Sequence, residues 1–149
     1  MDVELVGRLR GVIGKLARKL NDTSTGEGLT PTQYSVLGLI RKRGPLGLAE
    51  LTDLEGLNPT MVSRIVRRLD DDGLIRRLPD PSDLRAVRVE ITPAGELVHG
   101  RILTLRTSAL AGWLELLPAD TMATLLGAVP AMEALAETVK SPPKHADQG

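Results

Sequence analysis

The chain has 149 residues, with 19 basic and 19 acidic side chains, a formal net charge of zero and 42% hydrophobic residues. That length suits one compact domain, or one domain with helical extensions, and is enough to bury a core. No cysteine is present, which excludes disulfides, thiolate metal sites, cysteine nucleophiles and thiol redox switches.

Residues 3–20 place Leu5, Leu9, Val12, Ile13, Leu16 and Leu20 three and four apart, the spacing of an amphipathic helix. Asn21 to Gly28 is expected to be a polar loop. Thr30-Pro31-Thr32-Gln33 reads as a helix start, with Thr30 as N-cap, Pro31 at the first helical position and Gln33 closing a capping box. That helix stops at Arg41-Lys42-Arg43-Gly44-Pro45, where cations in a last turn precede glycine and proline.

A short helix follows from Leu48 to about Glu55, with Leu48, Leu51 and Leu54 as its expected buried side. Gly56 turns the chain, and Asn58-Pro59 starts another helix that runs to Asp72 and stops at Gly73. Two short helices around a glycine turn make a helix-turn-helix candidate. After Gly73 the period changes. Residues 74–78 read as a strand, 79–83 as a turn, and Val87, Val89 and Ile91 alternate with Arg88 and Glu90, which together predict a β-hairpin.

Thr92-Pro93 caps a helix carrying Leu97, Ile102, Leu105, Leu110, Trp113, Leu114 and Leu117. Pro118 opens a last helix through Val139, with a kink expected at Pro130. The fold class is therefore mainly α: a winged helix-turn-helix with a β-hairpin wing and helices at both ends. The expected divisions are 1–29 (N-terminal helix and loop), 30–92 (winged helix-turn-helix), 93–140 (C-terminal helices) and 141–149, a polar tail expected to be disordered.

Only His99 and His145 are histidines, so no histidine-based metal centre is expected, and no other cofactor either. Trp113 and Tyr34 are the whole aromatic set, which disfavours binding of single strands by base stacking. No apolar run approaches bilayer length, and Met1-Asp2-Val3-Glu4 lacks the features of a signal peptide. A soluble cytoplasmic protein without a membrane partner is expected. No nucleophile–base pair or converging acids occur at a workable spacing, so an enzyme is not expected.

From Asn58 to Arg88 there are seven arginines against five aspartates, and all seven arginines could face one way. In the helix after Asn58, the residues Val62, Ile65, Val66 and Leu69 form one stripe. Thr60, Ser63, Arg64, Arg67 and Arg68 fall on the other side. An α-helix fits the major groove of DNA, where arginine can pair with both acceptors of a guanine edge. Hydroxyls near a helix N-terminus can serve phosphates or bases. With the cap Asn58 and Pro59, these residues form a candidate set for reading double-stranded DNA, with Arg88, Arg76 and Arg77 as weaker candidates for backbone contact.

Other charged and aromatic residues have plainer readings. Arg41-Lys42-Arg43 is explained by its helix end. Asp70-Asp71-Asp72 points in several directions on a helix and reads as a solvated terminus that limits non-specific DNA binding. Trp113 reads as core or interface, Tyr34 as packed or lining a cavity, and His99 as a surface or interface residue.

Three segments then carry a resemblance. The cap before Pro59-Thr60, the run Arg68-Leu69-Asp70-Asp71-Asp72-Gly73-Leu74-Ile75, and Asp83-Leu84-Arg85 followed by Ile91-Thr92-Pro93-Ala94-Gly95 are similar to the winged-helix core of the MarR family of bacterial transcription regulators. The flanking helices match that family's layout. The resemblance implies a homodimer built from the terminal helices. It also implies a pseudo-palindromic operator with half-sites about one helical turn (~34 Å) apart, and repression as the default. By the same resemblance Arg85 reaches the minor groove and Asp83 orients it. It further implies release by a small aromatic or phenolic effector, for which only Arg18 and Tyr34 stand out. The missing cysteine removes the family's peroxide-sensing branch, and scarce histidine disfavours its zinc-sensing branch. The competing reading is a winged-helix protein-interaction module that does not read DNA sequence.

Overall fold

The computed structural model describes residues 1–83 and 85–139; the tail expected to be disordered, 141–149, lies outside them. The chain divides into two compact units, Met1–Leu110 and Ala111–Gly149. Among the described residues no helix is long and apolar enough to cross a membrane.

In the first unit, helix α1 spans Val3–Asp22, capped by Asp2, whose Oδ1 accepts the Leu5 N–H at 3.1 Å. The helix runs two residues into the segment expected to be loop. The hydroxyls of Thr23, Ser24 and Thr25 donate to the carbonyls of Leu20, Asn21 and Asp22, and so satisfy the last turn. No residue of α1 is buried, and its stripe of Leu5, Leu9, Val12, Ile13 and Leu16 is exposed. A 3₁₀ turn, Thr25–Glu27, occupies part of the remaining connection.

Helix α2 spans Pro31–Arg43 and begins with the expected capping box. Gln33 N–H donates to Thr30 Oγ1 at 3.2 Å, and Thr30 N–H donates to Gln33 Oε1 at 3.0 Å. Val36, Leu37 and Ile40 form its buried side. Strand β1, Leu46–Gly47, has no counterpart in the sequence reading, since two residues show no period. Helix α3 spans Leu48–Glu55 and α4 spans Pro59–Asp71. On α3 only Leu51 is buried; Leu48 is half-buried and Leu54 is exposed, contrary to expectation. Three-residue steps drift by about 60° per step on a 3.6-residue helix, so Leu54 ends off the stripe.

Helix α4 ends at Gly73 (φ 73°), whose N–H donates to Asp70 O while Leu74 N–H donates to Leu69 O, both at 2.9 Å. This left-handed closure suits glycine, which has no Cβ to clash. Strands β2 (Ile75–Pro79) and β3 (Val87–Ile91) form the hairpin, and β3 is central in the antiparallel order β1-β3-β2. Leu46 pairs with Val89 on one side and Arg77 pairs with Val89 on the other.

Helix α5 spans Pro93–Glu115, so Leu117 falls beyond it. Its start is locked to the end of α4. Thr92 Oγ1 donates to Gly73 O at 2.6 Å, Thr92 N–H donates to Leu74 O at 3.0 Å, and Gly95 N–H donates to Thr92 Oγ1 at 3.1 Å. A Cβ on Gly95 would collide with the Leu74 carbonyl oxygen and lie 2.7 Å from Ile91 Cγ1. Close approach, not turn geometry, therefore accounts for that glycine. Val36, Leu37, Leu51, Val66, Leu69 and Val89 lie at the heart of the core, with Ile102 of α5 against it.

In the second unit, α6 (Ala119–Gly127) and α7 (Val129–Thr138) pack on each other and contain no buried residue. The single kinked helix expected here is two helices. Pro130 lacks the N–H for an intrahelical bond and its ring crowds the carbonyl four residues earlier, so the chain breaks at Ala128 and restarts. Leu125, Leu126, Val129, Met132 and Leu135 are exposed.

Candidate nucleic-acid interface

Helix α4 is split cleanly between two environments. Val62, Ile65, Val66 and Leu69 are buried, while Asn58, Pro59, Thr60, Ser63, Arg64, Arg67 and Arg68 are all exposed. The apolar stripe locks the helix onto the core, which leaves the opposite face rigid and solvated. Asn58 Oδ1 accepts the Met61 N–H at 2.8 Å, so the cap side chain is committed to the helix start.

The seven arginines from Arg64 to Arg88 do not form one undivided patch. Arg68 Nε donates to Asp72 Oδ2 at 3.0 Å, and Arg77 Nε donates to Asp70 Oδ2 at 3.0 Å. Arg76 pairs with Glu90, its register partner across the hairpin. Arg88 Nη2 donates to the Pro45 carbonyl. Among the described residues only Arg64, Arg67 and Arg85 of the seven have no intramolecular hydrogen bond or ion pair to their guanidinium groups. The three weaker candidates, Arg76, Arg77 and Arg88, are thus all engaged in holding the wing and its base. Arg41, at the end of α2, pairs with Glu96 at 2.8 Å, in keeping with a structural role.

The hairpin tip is shaped by two aspartates. Asp80 Oδ1 accepts from both the N–H and the hydroxyl of Ser82, at 2.8 and 2.7 Å. Those bonds hold the Asp80 carboxyl below its ordinary pKa. Asp83 Oδ1 accepts the backbone N–H of Arg85 at 3.0 Å. Asp83 therefore fixes the backbone from which Arg85 projects, and Arg85 is exposed.

Among the described residues no hydrogen bond or ring contact joins the two effector candidates. Arg18 is exposed on α1, whereas Tyr34 is half-buried with other partners. Its ring stacks on His99 with centroids 4.9 Å apart and planes 14° apart, and the Arg106 guanidinium carbon lies 4.9 Å from the Tyr34 centroid. Arg106 also donates to Asn21 Oδ1 at 2.8 Å, which joins α5 to α1. His99, expected at a surface or interface, is buried, and its Nδ1 has no hydrogen-bond partner. Burial chiefly, and then the positive charge of Arg41, push its pKa below the ordinary value, partly offset by Glu96.

The acids of the Asp70–Asp72 run are the residues that sequence reasoning underused. The spacing of Arg68 and Asp72, four apart on one helix, was a readable signal. The Arg77–Asp70 pair joins a helix to a strand and depends on the turn between them.

Comparison with known proteins agrees with this geometry. Residues 29–87 match the model of the MarR family. The HTH-type transcriptional repressor MdtR of Bacillus subtilis is 26% identical over 121 residues, which span 81% of this chain and 77% of that protein. The multiple antibiotic resistance protein MarR of Salmonella typhimurium is 35% identical over 94 residues, 62% of this chain and 65% of that protein. The solved structure of wild-type MarR from E. coli aligns with a TM-score of 0.72 at 29% identity, covering 85% of this chain and 95% of that one. On fold and sequence together, residues 29–87 carry the winged-helix core of the MarR family, and the chain is similar to that family's DNA-binding transcriptional regulators over most of its length.

Proposed function

We propose that this regulator acts as a homodimeric repressor that reads a pseudo-palindromic operator, with α4 in the major groove and the wing in the minor groove. The observation that carries the reading is the division of α4: an apolar stripe seated in the core behind an exposed face bearing Thr60, Ser63, Arg64 and Arg67. Arg64 and Arg67 are the base-reading arginines, with Arg68 at the end of the same face. Asn58, Pro59, Thr60 and Ser63 lie at the positive end of the helix, where phosphate is favoured. Arg85, backed by Asp83, enters the minor groove, whose potential attracts arginine without base-specific bonds. Arg88 holds the base of the wing.

The exposed apolar stripe of α1, and separately those of α6 and α7, support the homodimer, since patches of this kind mark interfaces. Two-fold symmetry places the half-sites about one helical turn, ~34 Å, apart. Repression is the activity named for MdtR of Bacillus subtilis. An aromatic or phenolic effector near Arg18 and Tyr34 would compete with His99 and Arg106 for the Tyr34 ring, and would act by shifting the population of DNA-competent states.

Fluorescence anisotropy on the duplex upstream of the protein's own gene, against a scrambled duplex of equal length, tests this reading. The expected result is tighter binding to the native duplex by about a thousandfold or more at physiological salt. Equal binding to both, lost steeply with salt, would reduce the interface to electrostatic attraction. No binding to either at low salt would favour a protein-interaction module.

A further inference from the structure

We infer that Asp72 and Asp70 limit this protein's sequence-independent hold on DNA, because they engage Arg68 and Arg77 in intramolecular pairs and so keep those cations from gripping phosphates on any DNA sequence. The inference rests on the DNA-reading role of α4 and refines it.

The C-terminal end of α4 carries Arg68, and strand β2 carries Arg76 and Arg77, the latter reaching Asp70 of α4. Left unpaired, three exposed cations beside a reading helix would add phosphate contacts that carry no sequence information. Each is instead matched: Arg68 to Asp72 and Arg77 to Asp70, both at 3.0 Å, and Arg76 to Glu90. Arg67 and Arg64, one and four residues before Arg68 on α4, have no such partner among the described residues. Charge is thus left uncompensated on Arg64 and Arg67 and is compensated on Arg68, Arg76 and Arg77.

Local helix stability does not explain the acids. Carboxylates in the last turn oppose the helix dipole, so Asp70 and Asp72 sit where the helix alone would not favour them. Exposed ion pairs are weak, so Arg68 and Arg77 can turn toward a phosphate. The carboxylate left behind then repels that same phosphate, and the net gain is small. Removing the carboxylate frees a cation, and each freed cation that neutralises a phosphate steepens the dependence of log affinity on log salt by about 0.9.

The test compares Asp72→Asn with Asp71→Asn, a neighbouring exposed acid that pairs with no arginine among the described residues. The two substitutions change the net charge equally. Both variants and the unaltered protein are titrated across salt on the operator and on a scrambled duplex. For Asp72→Asn the slope on the scrambled duplex should steepen by about 0.9, and affinity for that duplex should rise roughly eightfold at 0.1 M salt. The gain on the operator should be of the same size, since a phosphate contact carries no sequence information. Asp70→Asn should do the same through Arg77, and Asp71→Asn should leave the slope unchanged. Equal slopes for Asp71→Asn and Asp72→Asn, or no change in either, would overturn the inference while leaving DNA reading intact. Failure of the unaltered protein to prefer its operator would overturn the DNA reading, and the inference with it.

Discussion

Arg88 and Pro45, 43 positions apart, are joined by a hydrogen bond from the guanidinium Nη2 to the proline carbonyl at 2.6 Å. The bond ties the central strand of the wing to the turn leading into β1 and α3. Arg88 thus holds the wing against the helix-turn-helix. Arg88→Ala should destabilise the fold by about 1 kcal/mol, since the bond is charge-assisted but partly exposed. The salt slope of DNA binding should not change. Urea denaturation and salt titration measure the two effects separately; a slope shallower by about 0.9 would instead make Arg88 a phosphate contact.

Gly95 sits against the Leu74 carbonyl and Ile91, where no methyl group fits. Gly95→Ala should cost about 1–3 kcal/mol through overpacking, despite alanine's better helix propensity. A urea midpoint equal to or above that of the unaltered protein would contradict the close approach.

His99 makes stability depend on pH. Its folded pKa lies below the ordinary 6.5, so the unfolded chain takes up its proton first as pH falls. The contribution of the neutral ring is complete above 6.5 and is lost as pH drops through the folded value. Thermal melts at pH 7.5 and 5.5 should show a larger loss for the unaltered protein than for His99→Gln. Parallel losses would remove His99 as the cause.

The exposed stripe of α1 should be an assembly surface. Leu9→Glu together with Val12→Glu places charge on it without touching a buried residue. Sedimentation velocity should show a dimer for the unaltered protein and a monomer for the variant, with operator affinity lost as half-sites are bound singly. A variant that remains dimeric would move the interface off α1.

Much of this was legible because local rules and tertiary demands coincide. The stripe of α4 follows a 3.6-residue period, and Thr30, Asn58 and Gly73 terminate helices through chemistry confined to four or five residues. Legibility failed where distant partners decide. His99 is polar in any sequence pattern, yet Tyr34 covers its ring and Gly38 leaves room, since a Cβ on Gly38 would lie 3.1 Å from Nε2. The two-residue β1 exists only because β3 pairs with it. Counting arginines suggested one undivided basic face; the pairs to Asp70, Asp72 and Glu90 appear only once helix, turn and hairpin register are set.

The most direct test of sequence reading by α4 is to measure Arg64→Ala and Arg67→Ala on the operator and on a scrambled duplex at one physiological salt concentration. Each loss on the operator should be about 1–3 kcal/mol per base contact, with little change on the scrambled duplex. Equal losses on both duplexes would mean that these arginines hold phosphates only, and that α4 does not read the sequence through them.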